Sequence, residues 1–162
     1  MVKEIVMTGG LRCLVDDEDY ERLAVVHWYP VWKRGKCYAR HEDSKGPRGN
    51  IVRTYRYMHR EIKPAGIGLM CDHKNGNTLD NRRENIRPCT RLQNMANQKK
   101  CSRNTSGYKG VTKRGDERWL AVIYHANISY NLGRYDTAEE AARAYDAKAK
   151  ELNGEFAFLN FP

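Results

Sequence analysis

The sequence lacks the features of membrane and exported proteins. No apolar run approaches the roughly 20 residues that a membrane-spanning helix needs, and the opening stretch has no long apolar signal-peptide core. A Cys-x-x-Cys pair is also missing, and the cysteines form an odd set of five: Cys13, Cys37, Cys71, Cys89 and Cys101. This set argues against a zinc ribbon and against a disulfide framework. We therefore expect a cytoplasmic protein with no membrane partner.

Acidic residues are too few to balance the basic ones. The chain has 29 Lys and Arg against 20 Asp and Glu, which gives a formal net charge of +9. A basic excess of this size favours a polyanionic partner, and nucleic acid fits it best. A length of 162 residues allows one large domain or two small ones.

Residues that can perform chemistry concentrate between positions 71 and 94. Asp72 and His73 stand side by side after the short apolar run 68–70, and Asn75-Gly76 permits a sharp turn. A second extended piece, 85–89, follows. The pattern predicts two short paired strands with Asp72 and His73 at the end of the first.

A helix is expected directly after these strands. Thr90 and Gln93 form a capping box, which puts Asn94 in the first turns. If the helix packs across the strands, Asp72, His73 and Asn94 face one small space. A carboxylate, an amide and an imidazole suit a hard divalent cation beside a general base. The alternative is an Asp-His pair in a polar loop without a catalytic role.

These residues resemble a known signature. Asp72-His73, Asn85 and Asn94 are similar to the His-Asn-His motif of HNH nucleases, in the variant where Asn replaces the last His. The stretch 58–97 resembles the HNH homing endonucleases of phages and mobile introns. The resemblance implies a ββα-metal nuclease core.

The resemblance also implies a role for each residue. His73 would deprotonate the water that attacks a DNA phosphate, and Asn85 would hold the loop and orient His73 through a hydrogen bond. Asp72 and Asn94 would hold a single Mg²⁺ or Mn²⁺ in each active site. His59 would support the site without taking part in the chemistry.

The residues before this core predict a β-rich lead-in. Hairpins are expected over 4–15 and 28–41, and 51–57 is expected to be a strand that leads into a short helix at 58–62. The acidic run 16–19 looks like a metal cluster, but acids favour the first turn of a helix, so we assign it no metal. The segment 43–50 reads as a polar loop. The nuclease domain is therefore placed over 1–97, with its core at 58–97.

Residues 98–107 are polar, basic and without a periodic pattern, which predicts a linker. Cations in this segment can follow a phosphate backbone through charge alone, and the candidates are Lys99, Lys100 and Arg103.

The remaining segment, 108–162, predicts a small three-stranded antiparallel sheet and one helix. Thr137 and Glu140 form a second capping box, and small alanines line one face of the helix behind it. Two of its runs, 133–146 and 159–162, resemble the ethylene-response-factor type DNA-binding domain of plant transcription factors.

In that family the sheet enters the major groove of DNA. Carried over by position, the DNA-binding candidates are Lys109, Lys113, Arg114, Arg118 and Trp119. Tyr124 stands where the family usually has a base-reading Arg, and Asn131 where it usually has a second Trp. The resemblance therefore implies binding to double-stranded DNA and leaves the sequence read by the sheet open.

Together these features predict an α+β chain that acts as a metal-dependent DNA endonuclease of the homing type, targeted by its C-terminal sheet. The alternative is a non-catalytic DNA-binding regulator with a decayed nuclease fold. One site per chain implies nicking by a monomer unless two chains assemble, and the sequence leaves monomer and homodimer open.

Overall fold

The structure, a computed structural model, describes residues 1–115 and 117–162, with the backbone alone at Arg114. The chain divides into two compact units, Met1–Cys89 and Thr90–Pro162. Each unit combines helices with small antiparallel sheets, which confirms the α+β class.

The first unit, described over its whole length, is built mainly from hairpins. Its elements in chain order are β1 (Val2–Val6), β2 (Arg12–Asp16), α1 (Asp17–Ala24), β3 (Tyr29–Lys33), β4 (Lys36–Lys45), β5 (Val52–Tyr57), α2 (Met58–Ile62), β6 (Met70–His73) and β7 (Ile86–Cys89). They form the sheets β1-β2, β3-β4-β5 and β6-β7. The predicted lead-in hairpins and the short helix at 58–62 are confirmed.

One buried core holds this unit together. Trp28 is its largest fully buried side chain, and its indole nitrogen donates to the Leu23 carbonyl at 2.8 Å. Met58 and Ile86 are also fully buried, so the helix α2 and the strand β7 share the core with the N-terminal hairpin. Apolar burial therefore fixes the loop end of the β6–β7 hairpin, where Asp72 and His73 lie.

The predicted polar loop at 43–50 is wrong in its first residues, because β4 continues to Lys45. Asp43 pairs with Thr54 and Lys45 pairs with Val52 on β5. Partner strands satisfy the backbone groups of a polar segment as well as those of an apolar one. The sequence pattern of β4 alone does not show that this partner is present.

The acidic run before α1 has a structural use. Asp17, Glu18 and Asp19 occupy the first turn of the helix, as predicted. Asp19 is completely buried and accepts two hydrogen bonds from Arg83, from Nε at 2.7 Å and from Nη2 at 2.8 Å. Asp16 accepts from the Arg83 backbone at 2.7 Å. The run thus anchors the loop that joins β6 to β7.

The second unit consists of a sheet with a long helix packed on one face. Its elements are α3 (Arg91–Ala96), β8 (Val111–Arg114), β9 (Arg118–His125), β10 (Ile128–Tyr135) and α4 (Ala138–Asn153), followed by a short 3-10 helix (Gly154–Phe156). The strand order is β10-β9-β8. Both predicted capping boxes, at Thr90 and at Thr137, are confirmed.

The C-terminal residues are tied back onto α4 by a buried carboxylate. Asp146 accepts from the backbone nitrogens of Asn160 and Phe161, each at 2.9 Å. The Asn160 side chain in turn accepts from the backbone nitrogen of Lys109 at 2.7 Å. The run 159–162 therefore closes the core of this unit.

Candidate functional site

The β6–β7 hairpin presents Asp72 and His73 at the end of β6. Antiparallel pairing places Asp72 opposite Arg87 and His73 opposite Ile86. Both side chains are buried, with 6% of Asp72 and 4% of His73 exposed. The loop from 74 to 85 then returns the chain to β7.

Asparagine side chains shape this loop in place of regular structure. Asn85 accepts from the backbone nitrogen of Asn75 at 3.0 Å and donates to the Asp80 carbonyl at 2.7 Å. The Asn75 side chain donates to the Asp80 carboxylate at 2.8 Å. Arg82 holds the same carboxylate with Nε at 2.8 Å and Nη2 at 2.7 Å. Asn85 therefore connects the start of the loop to Asp80, and its expected role in orienting His73 stays a prediction.

Asn81, which the sequence reasoning missed, is a hydrogen-bond partner of the His73 ring. Its Oδ1 lies 3.2 Å from His73 Nε2, and Asn81 is 1% exposed. The Asn81 amide nitrogen faces two acceptors, the Leu79 carbonyl and the Met58 sulfur, each at 3.5 Å. Asn81 Oδ1 can accept a proton from Nε2 of His73, and in that tautomer Nδ1 is the basic nitrogen.

The surroundings of His73 favour its neutral form. Burial lowers the pKa of His73 below its ordinary value, and the hydrogen bond that Asn81 accepts from the ring and the charge of Asp72 oppose that shift in part. A neutral imidazole can accept a proton near pH 7, which is what a general base requires.

His59 packs against His73 from the helix α2. The two ring centres are 5.3 Å apart and nearly perpendicular, and the rings of Tyr38 and Tyr57 lie 5.8 and 5.6 Å from His59. Burial, with the charges of His73 and Arg60, lowers the pKa of His59 to about 3. His59 therefore stays uncharged in the folded protein.

Replacing His59 by phenylalanine is expected to flatten the pH dependence of stability. The depressed pKa means that the unfolded chain binds a proton that the folded chain excludes. The contribution of His59 to the free energy of unfolding is therefore fully present above about pH 6.5 and is lost as the pH falls toward about 3. Without this histidine, the slope of the free energy of unfolding against pH decreases by up to about 1.4 kcal/mol per pH unit. Hydrogen exchange of the Trp28 indole, measured between these pH values, reports on this unit, and an unchanged slope contradicts the prediction.

Asp72 forms an ion pair with Arg87, which is the second site residue, after Asn81, that the sequence reasoning missed. Arg87 Nε donates to Asp72 Oδ2 at 3.0 Å, and Arg87 is 7% exposed. A carboxylate has about four lone-pair positions, so this contact is compatible with binding a cation as well. Carboxylate and amide oxygens are ligands that suit Mg²⁺, which fits the expected pair of Asp72 and Asn94.

The other predicted residues around position 97 lie in the second unit. Asn94 is on α3, behind the Thr90 cap. Lys99 and Arg103 are exposed, and the Lys100 ammonium donates to the Gly107 carbonyl at 2.7 Å. Among the residues described, no group of three or more His, Cys, Asp and Glu side chains is arranged to hold a metal.

Strand alternation divides the DNA-binding candidates between the two faces of the C-terminal sheet. Ala121 and Ile123 are buried on the α4 side, which leaves Arg118 and its alternate neighbours on the other face. We call this second face the outer face, and its residues are Thr112, Arg118, Leu120, Val122, Tyr124, Ser129, Asn131 and Arg134. Tyr124 and Asn131, the two departures from the family pattern, are thus both on the outer face.

Three of the DNA-binding candidates lie away from the outer face of the C-terminal sheet. Lys113 and Trp119 are on the α4 side of the sheet, with the Lys113 ammonium 5.9 Å from the Trp119 ring centre. The Lys109 ammonium donates to the Ala96 carbonyl at 2.7 Å, and burial lowers the pKa of Lys109 to about 8. Arg114 stands opposite Arg118 in the register, but its side chain is outside the described part of the chain.

Family models match two stretches of the chain. An HNH endonuclease model matches residues 67–96, and an AP2 domain model matches residues 106–155. The chain thus carries an HNH endonuclease domain followed by an AP2 domain, and both resemblances are confirmed.

Individual relatives agree with this division. An uncharacterized HNH endonuclease, L560 of Acanthamoeba polyphaga mimivirus, is 35% identical over 67% of this chain and 57% of its own length. Ethylene-responsive transcription factor ERF084 of Arabidopsis thaliana is 48% identical over 39% of this chain and 25% of its own length. Dehydration-responsive element-binding protein 2D from the same plant is 38% identical over 44% of this chain and 39% of its own length.

The chain therefore spans about a quarter to three fifths of the length of these relatives. No solved structure matches it. Within the described residues, every helix is too short or too polar to cross a membrane.

Proposed function

We propose that this chain is a metal-dependent DNA endonuclease that hydrolyses phosphodiester bonds and is targeted by its AP2 sheet. The observation that carries the proposal is the buried imidazole of His73, held by Asn81 and directly next to the Asp72 carboxylate. A positioned base beside a carboxylate meets two needs of phosphodiester hydrolysis: an activated water and a site for a hard cation.

His73 Nδ1 would take a proton from the attacking water as its oxygen bonds to phosphorus and the bond to the 3′ oxygen breaks. Asp72 and Asn94 would hold one Mg²⁺ or Mn²⁺, which supplies charge stabilisation at the departing oxygen when bound. Asn85 would keep the loop closed, and Asn81 would keep the reactive nitrogen of His73 turned toward the water. His59 would exclude water behind the base.

The C-terminal domain would supply much of the affinity for DNA. Arg118 and Arg134 on the outer face fit phosphate and base contacts, whereas the inward position of Lys109 makes it a support for the sheet. We keep the ranges 1–97, 98–107 and 108–162 as proposed functional segments, with Lys99, Lys100 and Arg103 following the backbone. A second binding domain on the same chain raises the effective concentration of DNA at the nuclease site.

A non-catalytic DNA-binding regulator is the second candidate. The matches of the AP2 segment to proteins named as transcription factors favour it. The presence of Asp72, His73, Asn85 and Asn94 at all the expected positions favours the endonuclease.

We expect supercoiled plasmid incubated with the protein and Mg²⁺ to become nicked or linear, and a chelator to prevent this. Asp72→Asn keeps the size of the side chain and removes its charge, so it is expected to raise the Mg²⁺ concentration needed for cleavage by about tenfold or more. Gel mobility shift with the same plasmid fragments measures binding separately. Binding without cleavage under any metal would support the regulator and exclude the endonuclease.

The homing role is a separate part of the proposal, supported by the relative from a virus and by the resemblance to homing endonucleases. Cleavage of a random-sequence library tests it. A single long recognition site fits a mobile-element enzyme inside its host cell, and cutting without a sequence preference does not.

A further inference from the structure

The tip of the β3–β4 hairpin, residues 33–36, is unusually basic. Three of its four residues are cations, and the register places Lys33 directly opposite Lys36. Like charges directly opposite each other destabilise a strand pair. A sequence that keeps such a pair accepts a less stable strand pairing, which is typical of a functional surface.

The turn between β3 and β4 also holds a residue that its backbone conformation disfavours. Arg34 and Gly35 both have positive φ, at 49° and 74°. A two-residue turn with positive φ at both positions favours Asn-Gly, and a long side chain at the first position is uncommon. The turn therefore keeps a third cation where a smaller residue would fit the backbone better.

Carboxylates do not neutralise this tip. Elsewhere in the first unit, Arg12 pairs with Glu4, and Arg56 pairs with Asp43. In the described part of the chain, none of Lys33, Arg34 and Lys36 has a carboxylate within ion-pair distance. Their charge therefore remains available to an external anion.

A series of contacts connects the tip to the proposed general base. The Lys33 ammonium donates to the Tyr57 hydroxyl at 2.5 Å, and the Tyr57 ring packs on His59, which packs on His73. The Thr78 hydroxyl donates to the Cys37 carbonyl and so fastens the nuclease loop to the residue after Lys36.

We propose that this basic tip binds backbone phosphates of the DNA strand that is cut, next to the phosphate presented to His73. The inference rests on the proposed endonuclease function and adds a substrate-binding element outside the HNH segment. Two ammonium groups on one rigid hairpin can contact neighbouring phosphates, and the aromatic rings between the tip and His73 fix their distance from the site. The tip thus positions the strand for attack.

The salt dependence of DNA binding tests this directly. The full chain, with chelator present so that no cleavage occurs, is titrated onto duplex DNA at several salt concentrations. Each phosphate contact contributes about 0.9 to the slope of log affinity against log salt. The double variant Lys33→Gln, Lys36→Gln is expected to reduce that slope by about 2. An unchanged slope overturns the proposal.

A matched control removes the same charge from the other end of β4. Lys45 is nine residues from Lys36, roughly 30 Å along the strand, and Lys45 and Arg48 are both exposed. Lys45→Gln with Arg48→Gln is expected to leave the slope within error of the native value. A drop equal to that of the tip variant would mean that net charge alone acts, which overturns the proposal.

A charge-preserving variant separates charge from fold. Lys33→Arg with Lys36→Arg is expected to restore the native slope, and failure to restore it contradicts phosphate binding by the tip. These binding measurements need no catalysis. A native chain that never cuts DNA would refute the proposed endonuclease function, and the salt dependence of binding would still test whether the tip binds phosphates. If the chain cuts, the Gln variant is expected to raise KM about tenfold or more with kcat at saturating DNA within about threefold.

Discussion

His73→Ala is expected to reduce DNA cleavage by about 10²- to 10⁴-fold, the usual contribution of a general base. DNA affinity should change little, because a base lowers the barrier and contributes little to binding of the substrate. Single-turnover cleavage of plasmid with saturating Mg²⁺ measures the first effect. Fluorescence anisotropy with labelled duplex in chelator measures the second.

His27→Ala is a suitable control for this variant. His27 is exposed in the same unit, and its ring nitrogen Nε2 lies 2.9 Å from the Thr8 hydroxyl. Its removal should leave the cleavage rate within about twofold, as for most surface changes. Cleavage by His73→Ala within tenfold of the native rate would show that another group activates the water.

Gly110→Ala is expected to lower the free energy of unfolding of the second unit by about 3 kcal/mol. Gly110 has a φ of 76°, and a Cβ there would lie 2.0 Å from Cδ2 of Tyr145. Tyr145 is 5% exposed and packed between α4 and the sheet, so it has little room to move. The Gly110 carbonyl also accepts from the Val122 nitrogen at 2.8 Å, so the strain reaches the central strand β9.

Hydrogen exchange of the Val122 amide measures this loss within the second unit. Gly115→Ala is the matched control, since Gly115 lies in the turn after β8 and a Cβ there meets nothing within 4 Å. The control should exchange at the native rate, whereas the Gly110 variant should exchange faster and bind DNA more weakly. Equal exchange in both variants would mean that the tyrosine ring moves aside without cost.

Features set by neighbours along the chain were predictable from the sequence. The capping boxes at Thr90 and Thr137 depend on residues three apart, and both are present. The helix 58–62 has the bounds that its local pattern indicates. Asp72 and His73 are neighbours in the chain, so their place together at the end of β6 followed once the strand was predicted, whereas the burial of both requires cover on both faces of the strand.

Features set by residues far apart were not predictable in the same way. Arg87 meets Asp72 only because of the register between β6 and β7, and Asn81 reaches His73 only after the loop folds back. A polar loop rich in asparagine offers several amides, and spacing does not show which one turns inward. The signal that was available, an Asn at 81 between Asp80 and Arg82, has many structural uses.

The assignment of faces in the C-terminal sheet shows a related limit. The resemblance gave Lys113 and Trp119 as DNA-binding candidates, the register puts both on the α4 side of the sheet, and their contact with DNA stays a prediction. A shift of one residue moves every side chain to the opposite face. The family comparison therefore identifies the sheet, and only the strand pairing identifies which residues reach its outer face.

The packing of α3 limits how this chain can be recombined. The Ala96 carbonyl at the end of α3 accepts from the Lys109 ammonium at 2.7 Å and from the Phe158 nitrogen at 3.2 Å. A graft that joined the first 97 residues to an unrelated DNA reader would strip both donors from this helix. Domain exchange in evolution or in engineering would therefore have to carry α3 along with the AP2 segment, or supply a new surface for it.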